Sequence, residues 1–325
     1  MRRLVFALPL LLLAAAQQAT ISVTEWKVPW EKSRPRDPFM AGNGRVWFVG
    51  QEGNYVANLD PASGKFSRVE IEDGTNPHNL IVDGAGNVWY SGNRNGRIGR
   101  IDAATGKITT YMMPDASARD PHTLVMDKSG NIWFTVQFQN FVGHLDTKTG
   151  KVRLQKSPTD KSRPYGIMMS SKDEPWFVEF GTNKVARIDK ATMHITEYTL
   201  PDAGTRPRRI AITSDDIIWY TDYTRGMLGR FDPKSSKTTE WAMPAGKASL
   251  PYAIGVDDRD RLYVSETGPQ PNRIAVFDPK SSAWVSVTPV MPSGGLSVRH
   301  MSFNKATRTM WFGTDADTIA RMKAP

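Results

Sequence analysis

The stretch Gly86-Asn87-Val88-Trp89-Tyr90 decides the fold, because the chain repeats its pattern of a turn followed by apolar and aromatic residues. The pattern occurs seven times, and its copies are anchored on Trp47, Trp89, Trp133, Trp176, Trp219, Tyr263 and Trp311. Consecutive anchors are 42, 44, 43, 43, 44 and 48 residues apart. A period of this length is typical of a unit of four short strands. Seven such units predict an all-β protein, a seven-bladed β-propeller.

The second repeat shows how the chain runs within one unit. Apolar or alternating segments at residues 80–82, 88–90, 97–101 and 107–111 are separated by turns rich in Gly, Asn and Asp. Such segments predict four antiparallel strands joined by hairpins. The large aromatic anchors are expected to fill the space between neighbouring blades.

The two ends of the chain hold complementary fragments of a repeat. Residues 24–29 read Thr-Glu-Trp-Lys-Val-Pro, which matches the fourth strand of other repeats, such as residues 239–244. No first three strands precede this segment, and the last repeat stops after its third strand, at residues 318–321. We therefore expect residues 24–29 to pair with residues 317–321 and close the ring, so that no sheet lacks a strand.

The first sixteen residues have the features of a secretory signal peptide. Arg2 and Arg3 precede an apolar run over residues 4–16 that ends in three alanines. The run is too short to span a bilayer, and we expect no transmembrane segment. The sequence thus predicts an exported protein, periplasmic or secreted, with one domain over residues 17–325. An uncleaved anchor on a lipid surface is the alternative.

The charge and cysteine content limit the classes of partner. The formal net charge is +9, and it falls to +7 without Arg2 and Arg3. Basic residues are spread over every repeat, which favours a solvated surface over a nucleic-acid groove. The chain has no cysteine, so packed sheets rather than disulfides must stabilise it. We expect a monomer with no nucleic-acid partner.

Functional residues are expected at one mouth of the central channel, which the first strand of each blade lines. The pairs that begin the first strands read Pro38-Phe39, Pro77-His78, Pro121-His122, Pro164-Tyr165, Pro207-Arg208, Pro251-Tyr252 and Arg299-His300. The residues that leave the second strands on the same face read Gln51, Asn93, Gln137, Glu179, Asp222, Glu266 and Asp315. The two remaining histidines, His144 and His194, are expected on the outer surface.

Imidazoles, carboxylates and tyrosines at one mouth can hold a divalent cation or act as an acid and a base. His78 and His122 lie on adjacent blades, so they should be side by side. The alternative is that a His after Pro only forms a hydrogen bond with the neighbouring blade.

The repeat resembles the virginiamycin B (streptogramin B) lyases over nearly the whole mature chain. The segments that carry the resemblance are Pro164-Tyr165-Gly166-Ile167, Trp176-Phe177-Val178-Glu179 and Lys184-Val185-Ala186-Arg187-Ile188. The resemblance implies a seven-bladed, magnesium-dependent enzyme that linearises a cyclic depsipeptide at its ester by elimination.

The resemblance also implies site residues in blades six and seven. It implies a His in the sixth blade and a Glu, a His and a second Glu in the seventh, and at these places the chain has Tyr252, Val298, His300 and Asp315. Because a propeller is nearly symmetric under rotation, blades two and three offer a second arrangement, made of His78, Asp120, His122 and Gln137.

The sequence therefore predicts an exported lyase-like enzyme that cleaves an ester-type bond of a cyclic or oligomeric substrate with the help of Mg²⁺. His122 or His300 would be catalytic. Substrate-binding residues would be His78, Tyr165, Arg208 and Tyr252, and metal ligands would come from Asp120, Gln137, Glu179, Glu266 and Asp315. The ligand is expected to be a small molecule or cyclic peptide-like compound. The alternatives are a non-catalytic recognition propeller and a lactonase-type metal hydrolase.

Overall fold

A computed structural model describes residues 21 to 324, so the predicted signal peptide lies outside the described residues. The described chain forms seven antiparallel sheets of four strands each. This arrangement confirms the seven-bladed propeller. No helix within the described residues has the length and apolarity needed to cross a bilayer.

The strands follow one another in chain order. Strand β1 (Val23–Lys27) precedes blade one, which contains β2 (Pro35–Met40), β3 (Val46–Gly50), β4 (Tyr55–Asp60) and β5 (Lys65–Glu70). Blade two contains β6 (Pro77–Val82), β7 (Val88–Gly92), β8 (Arg97–Ile101) and β9 (Ile108–Met112). Blade three contains β10 (Pro121–Met126), β11 (Ile132–Val136), β12 (Phe141–Leu145) and β13 (Val152–Lys156). Blade four contains β14 (Pro164–Met169), β15 (Pro175–Glu179), β16 (Lys184–Ile188) and β17 (Ile195–Thr199).

The remaining blades repeat the pattern. Blade five contains β18 (Pro207–Ile212), β19 (Ile218–Asp222), β20 (Met227–Asp232) and β21 (Lys237–Ala242). A short 3-10 helix, Gly246–Ser249, leads into blade six, which contains β22 (Pro251–Val256), β23 (Leu262–Glu266), β24 (Arg273–Asp278) and β25 (Ala283–Pro289). Blade seven contains β26 (Val298–Asn304), β27 (Thr309–Thr314) and β28 (Thr318–Lys323), and β1 is its fourth strand.

The N-terminal strand closes the ring as predicted. Strand β1 pairs with β28 in antiparallel register, with Val23 opposite Met322 and Lys27 opposite Thr318. The Trp26 ring stacks on Trp311, with 5.6 Å between ring centroids. Both edges that an open ring would expose are therefore covered.

The aromatic anchors pack between blades, which confirms their structural role. The ring centroids of Trp176 in blade four and Phe231 in blade five are 6.3 Å apart. Those of Trp219 in blade five and Phe277 in blade six are 5.8 Å apart. The prediction for His144 is wrong, because its ring is buried against Trp133 at 4.6 Å. Strand β12 turns this side chain toward the inter-blade layer, whereas His194 is exposed as expected.

The first strand of every blade shifts its register by one residue near its start. In blade five, Pro207 lies opposite Asp222, but Ile210 lies opposite Tyr220. Two residues of the first strand thus face one residue of the second, which is the geometry of a β-bulge. Arg208 and Arg209 are those two residues, and both guanidinium groups lie within 6.0 Å of the Tyr252 ring centroid. The bulge therefore brings consecutive side chains to the channel axis.

A hydroxyl on the second strand holds each of four bulges. Thr221 Oγ1 accepts a hydrogen bond from Arg209 N at 3.1 Å and donates to the backbone oxygen of Tyr252, in the next blade, at 2.9 Å. The same pattern joins consecutive blades through Ser91 and Thr135, and Ser265 differs only in donating to the backbone oxygen of Val298, the residue that opens the next first strand. These hydroxyls set the position of one channel residue relative to the next.

Candidate functional site at the channel mouth

One side chain from each blade lies at the end of the channel where the first strands begin. Each follows the residue that opens a first strand, and the seven are Arg36, His78, His122, Tyr165, Arg208, Tyr252 and Arg299. We call this set the mouth ring. The following residues form a second ring one step into the channel: Asp37, Asn79, Thr123, Gly166, Arg209, Ala253 and His300.

Strand register corrects two of the predicted positions. Pro35 lies opposite Gly50 just as Pro77 lies opposite Gly92. Arg36, and not Phe39, therefore occupies the mouth-ring position of blade one. Likewise Val298 lies opposite Thr314, so Arg299 occupies the mouth ring and His300 the second ring. Phe39 instead lines the apolar cavity of about 440 Å³ at the other end of the channel.

The imidazoles of the mouth ring pack against one another and against a tyrosine, with tilted ring planes. The ring centroids of His78 and His122 are 3.6 Å apart, and those of His122 and Tyr165 are 4.1 Å apart. His122 Nδ1 lies 2.8 Å from Thr123 Oγ1. Burial and the nearby guanidinium groups of Arg36 and Arg209 hold the pKa of both histidines well below the usual value. Both are therefore neutral, weakly basic groups at neutral pH.

Tyr252 lies between arginines on the opposite side of the ring. It is only 2% exposed, and its hydroxyl lies 2.5 Å from that of Tyr165. The guanidinium carbon of Arg208 lies 3.7 Å from the centroid of the Tyr252 ring and 4.3 Å from that of the Tyr223 ring. Arg299 lies 5.5 Å from the same ring. An aromatic face attracts such cations, and several cations together stabilise a phenolate.

The two tyrosines differ in acidity. Burial alone would raise the pKa of Tyr252, but the guanidinium groups of Arg208, Arg36, Arg209 and Arg299 lower it to about 7. The pKa of Tyr165 is raised, first by burial and then by repulsion from Tyr252. Tyr252 is therefore the tyrosine of the pair that ionises first, and when it is ionised Tyr165 is necessarily the hydrogen-bond donor.

Arg209 fills the centre of the second ring and links distant blades. Its Nη1 donates to Thr123 Oγ1 at 3.0 Å, and its Nε donates to the backbone oxygen of Arg299 at 3.1 Å. Its Nη2 lies 3.7 Å from Asp37 Oδ2. Asp37 also accepts a hydrogen bond from Asn79 Nδ2 at 2.7 Å. Burial and the guanidinium groups of Arg209 and Arg36 lower the pKa of His300 to about 4, although Asp37 opposes the shift.

The carboxylates predicted to bind metal have other partners. Glu179 and Glu266 end the second strands of their blades and are fully buried. Ser157 Oγ donates to Glu179 at 2.5 Å, and Arg273 Nε donates to Glu266 at 2.8 Å. Burial raises the pKa of Glu179 to about 7. Asp315 accepts from Arg299 Nη2 at 2.6 Å, so it neutralises a member of the mouth ring.

Asp120 lies beside the ring, in a cleft of about 470 Å³ between the loops of blades one to three. Its Oδ2 accepts a hydrogen bond from the backbone nitrogen of Phe138 at 2.8 Å. Burial raises its pKa to about 6. Gln137, the neighbour of Phe138, is half-buried on the same loop.

The residues at the mouth do not fit a magnesium ion. In the part of the chain that the structure describes, no three His, Asp or Glu side chains are grouped so that they could hold a metal. Mg²⁺ requires near-octahedral oxygen ligands. The rings instead present the guanidinium groups of Arg36, Arg208, Arg209 and Arg299, which repel a cation.

This charge distribution gives a first prediction. Titration of the purified protein with MgCl₂ in a calorimeter should give no more heat than dilution. The Arg208→Met variant should behave in the same way, because removal of one cation does not create ligands. Saturable magnesium binding by the wild type would contradict the prediction.

The family model for the virginiamycin B lyases matches residues 14 to 274 of the chain. The chain belongs to the virginiamycin B lyase family. Its fold is similar to that of the Staphylococcus aureus virginiamycin B lyase, with a TM-score of 0.85 and 24% identity, over 94% of this chain and 100% of that one. A catalytically inactive variant of that lyase, in a structure with quinupristin, has a TM-score of 0.85 and 25% identity over the same shares.

A third structure is more distant. The extracellular domain of BT4673 from B. thetaiotaomicron has a TM-score of 0.70 and 15% identity, over 89% of this chain and 40% of that one. No curated protein sequence matches the chain. At these identities the structural matches show the propeller fold alone.

Within this member of the virginiamycin B lyase family, sequence reasoning missed three of the four arginines at the mouth. Arg36 and Arg299 were missed because the mouth positions of blades one and seven were assigned to Phe39 and His300. Arg209 was missed because only Arg208 was assigned to the channel in blade five. A signal was available, because the pair Arg208-Arg209 directly follows the proline that opens β18. Because successive side chains of a strand point to opposite faces, two consecutive arginines at the start of an inner strand indicate that at least one of them faces the channel.

Proposed function

We propose that this chain is an exported lyase that opens an ester-type bond of a cyclic or oligomeric substrate by elimination, with Tyr252 as the base. The supporting observation is the position of the Tyr252 phenol among guanidinium groups, with Arg208 at 3.7 Å and Arg299 at 5.5 Å from its ring centroid, which lower its pKa to about 7. A base with a pKa near the working pH is the most effective one. Tyr252 also occupies the sixth-blade position at which the family resemblance implies a catalytic His.

The proposed step conserves atoms and electrons without water. The Tyr252 phenolate oxygen takes the proton from the carbon beside the substrate carbonyl. The electron pair of that C–H bond forms a carbon–carbon double bond, and the adjacent carbon–oxygen bond breaks. The ester oxygen leaves with the electrons of the broken bond as a carboxylate. Guanidinium groups around the mouth stabilise the charge that develops on the carbonyl oxygen.

Other members of the ring position or cover the base. The Tyr165 hydroxyl shares a hydrogen bond with the Tyr252 oxygen and donates it when Tyr252 is ionised. Arg208 lies over the Tyr252 ring and is partly exposed, so its displacement admits the substrate. His122 is a weaker base than Tyr252, because its pKa is lowered well below the usual value. We therefore assign His122 and His78 to the wall of the site rather than to proton transfer.

Product analysis tests the reaction type. Cyclic depsipeptides, beginning with quinupristin, would be incubated with the protein and the products analysed by mass spectrometry. Elimination opens the ring without a change of mass and creates a double bond, whereas hydrolysis adds one water. We expect a ring-opened product of unchanged mass, formed equally well with and without a chelator. A product that contains an added water would favour a lactonase-type hydrolase instead.

The recognition propeller is the competing class. Ligands that bind at the mouth and are released unchanged, over the whole panel of cyclic depsipeptides and linear esters, would support that class and contradict the proposed lyase.

A further inference from the structure

The mouth holds more positive than negative charge. Arg36, Arg208, Arg209 and Arg299 all lie close enough to Tyr252 to lower its pKa. The carboxylates that pair with this group are Asp37, 3.7 Å from both Arg36 and Arg209, and Asp315, beside Arg299. Positive charge is therefore in excess even when Tyr252 is ionised. Charges that are buried together without full compensation are unfavourable, and a bound anion would relieve this repulsion.

Several guanidinium nitrogens in the rings also lack a hydrogen-bond acceptor in the described chain, and two of them, Arg36 Nε and Arg209 Nη2, have only an ion-pair contact with Asp37 at 3.7 Å. Within residues 21 to 324, Arg36 Nε and Nη2, Arg208 Nε and Arg209 Nη2 are buried atoms that have no hydrogen-bond partner. Arg36 is 5% exposed and Arg209 is 2% exposed. Buried donors are nearly always paired in folded proteins, so a set of four at one place indicates a missing acceptor.

We propose that the mouth ring and the second ring together bind a carboxylate of the substrate, through Arg36 and Arg208 of the first and Arg209 of the second. This inference rests on the proposed function, because it names the substrate class of the same site: an organic acid or acidic oligomer. A planar carboxylate can accept two parallel N–H groups from one guanidinium, which makes arginine the preferred residue for this ligand. The aromatic faces of Phe180 and Tyr223, which flank Arg208 at 4.8 and 4.3 Å, provide apolar contacts for the carbon atoms next to it.

Calorimetry with sodium acetate, sodium benzoate and sodium phosphate tests the inference on the full-length mature protein. We expect both carboxylates to bind at one site. Arg208→Met should weaken this binding by about tenfold or more, since a hydrogen bond to a charged group is lost. The control is Arg187→Met, which removes the same charge from a guanidinium that lies over Trp176, outside the mouth. Arg36→Met is the second test variant, and circular dichroism verifies that each variant is folded.

A spectroscopic readout separates binding at the ring from nonspecific binding. A carboxylate among the arginines should raise the pKa of Tyr252 and remove phenolate absorbance, an effect that Tyr252→Phe abolishes. The titratable and charged groups that face the phenol are Tyr165, Tyr223 and the four arginines.

The outcomes distinguish the inference from the function on which it rests. Carboxylate binding that Arg208→Met and Arg36→Met weaken supports the inference even if no ester is ever eliminated. Elimination of a neutral ester by a protein that binds neither acetate nor benzoate overturns the inference and leaves the lyase in place. Binding of phosphate alone, or carboxylate binding that Arg187→Met weakens equally, also overturns it.

Discussion

Deletion of residues 21–29 is expected to destroy the cooperative thermal unfolding of the protein. The deletion removes β1, with the Trp26 ring stacked on Trp311 and the buried Val28 side chain. It also removes Glu25, which accepts hydrogen bonds from Ser293 and Thr318. Full burial of Val28 and partial burial of Trp26 together contribute roughly 2 to 4 kcal/mol, a large part of the stability of a typical domain. Differential scanning calorimetry measures the loss.

A peptide supplied in trans provides the control. Residues 21–30 as a synthetic peptide should restore the melting transition of the truncated protein, because a free strand can add to an exposed sheet edge. The same peptide with Trp26→Ala should restore it poorly. A truncated protein that melts together with the wild type would contradict the closure by β1.

Tyr252→Phe is expected to lower the rate of elimination on the order of a hundredfold or more, since general-base catalysis typically contributes that much. The substitution keeps the ring over which Arg208 lies and removes only the oxygen, so the fold should persist. The rate of the wild type should rise with pH and level off above about 7, where the phenol is ionised. Rates on the ring-opening substrate, measured across this pH range, give both effects.

Tyr223→Phe is the matched control for this prediction. Tyr223 also contacts Arg208, at 4.3 Å, but its hydroxyl is not the partner of Tyr165. This variant should retain most of the wild-type rate and the same pH profile. Full activity in Tyr252→Phe, or a profile that does not change near the phenol's pKa, would exclude Tyr252 as the base.

The architecture could be predicted from the sequence because the same strand and turn pattern occurs seven times in the chain. One anchor in each repeat gives the number of blades, and the Thr-Glu-Trp segment near the start matches fourth strands elsewhere. Both inferences depend on local pattern. An error in one repeat is corrected by the other six, so the sheet count does not depend on any single residue.

The site could be predicted only in part because it depends on register at single residues. A one-residue shift in the first strands brings Arg209 and His300 to the axis, and in blade seven no proline marks where the shift occurs. In the second strands, two neighbouring positions were treated as one. Glu266 lies opposite the residue that opens the first strand of its blade, whereas Asp315 lies one residue beyond that position in blade seven. Neighbouring side chains of a strand point to opposite sides, so these two carboxylates do not share a face. The pairing of His78 with His122 was predictable because both follow an unambiguous proline.

The pairing of β1 with β28 also sets the order in which the protein can fold. Val23 and its partner Met322 belong to opposite ends of the chain, so the contact has nearly the greatest sequence separation that the molecule allows. Contacts of this kind form late, because the entropy of bringing distant segments together must first be overcome. During synthesis, β1 therefore stays unpaired until β28 has been added. Until that pairing forms, residues 23–27 have no strand partner, and the edge of β28 that they cover stays open.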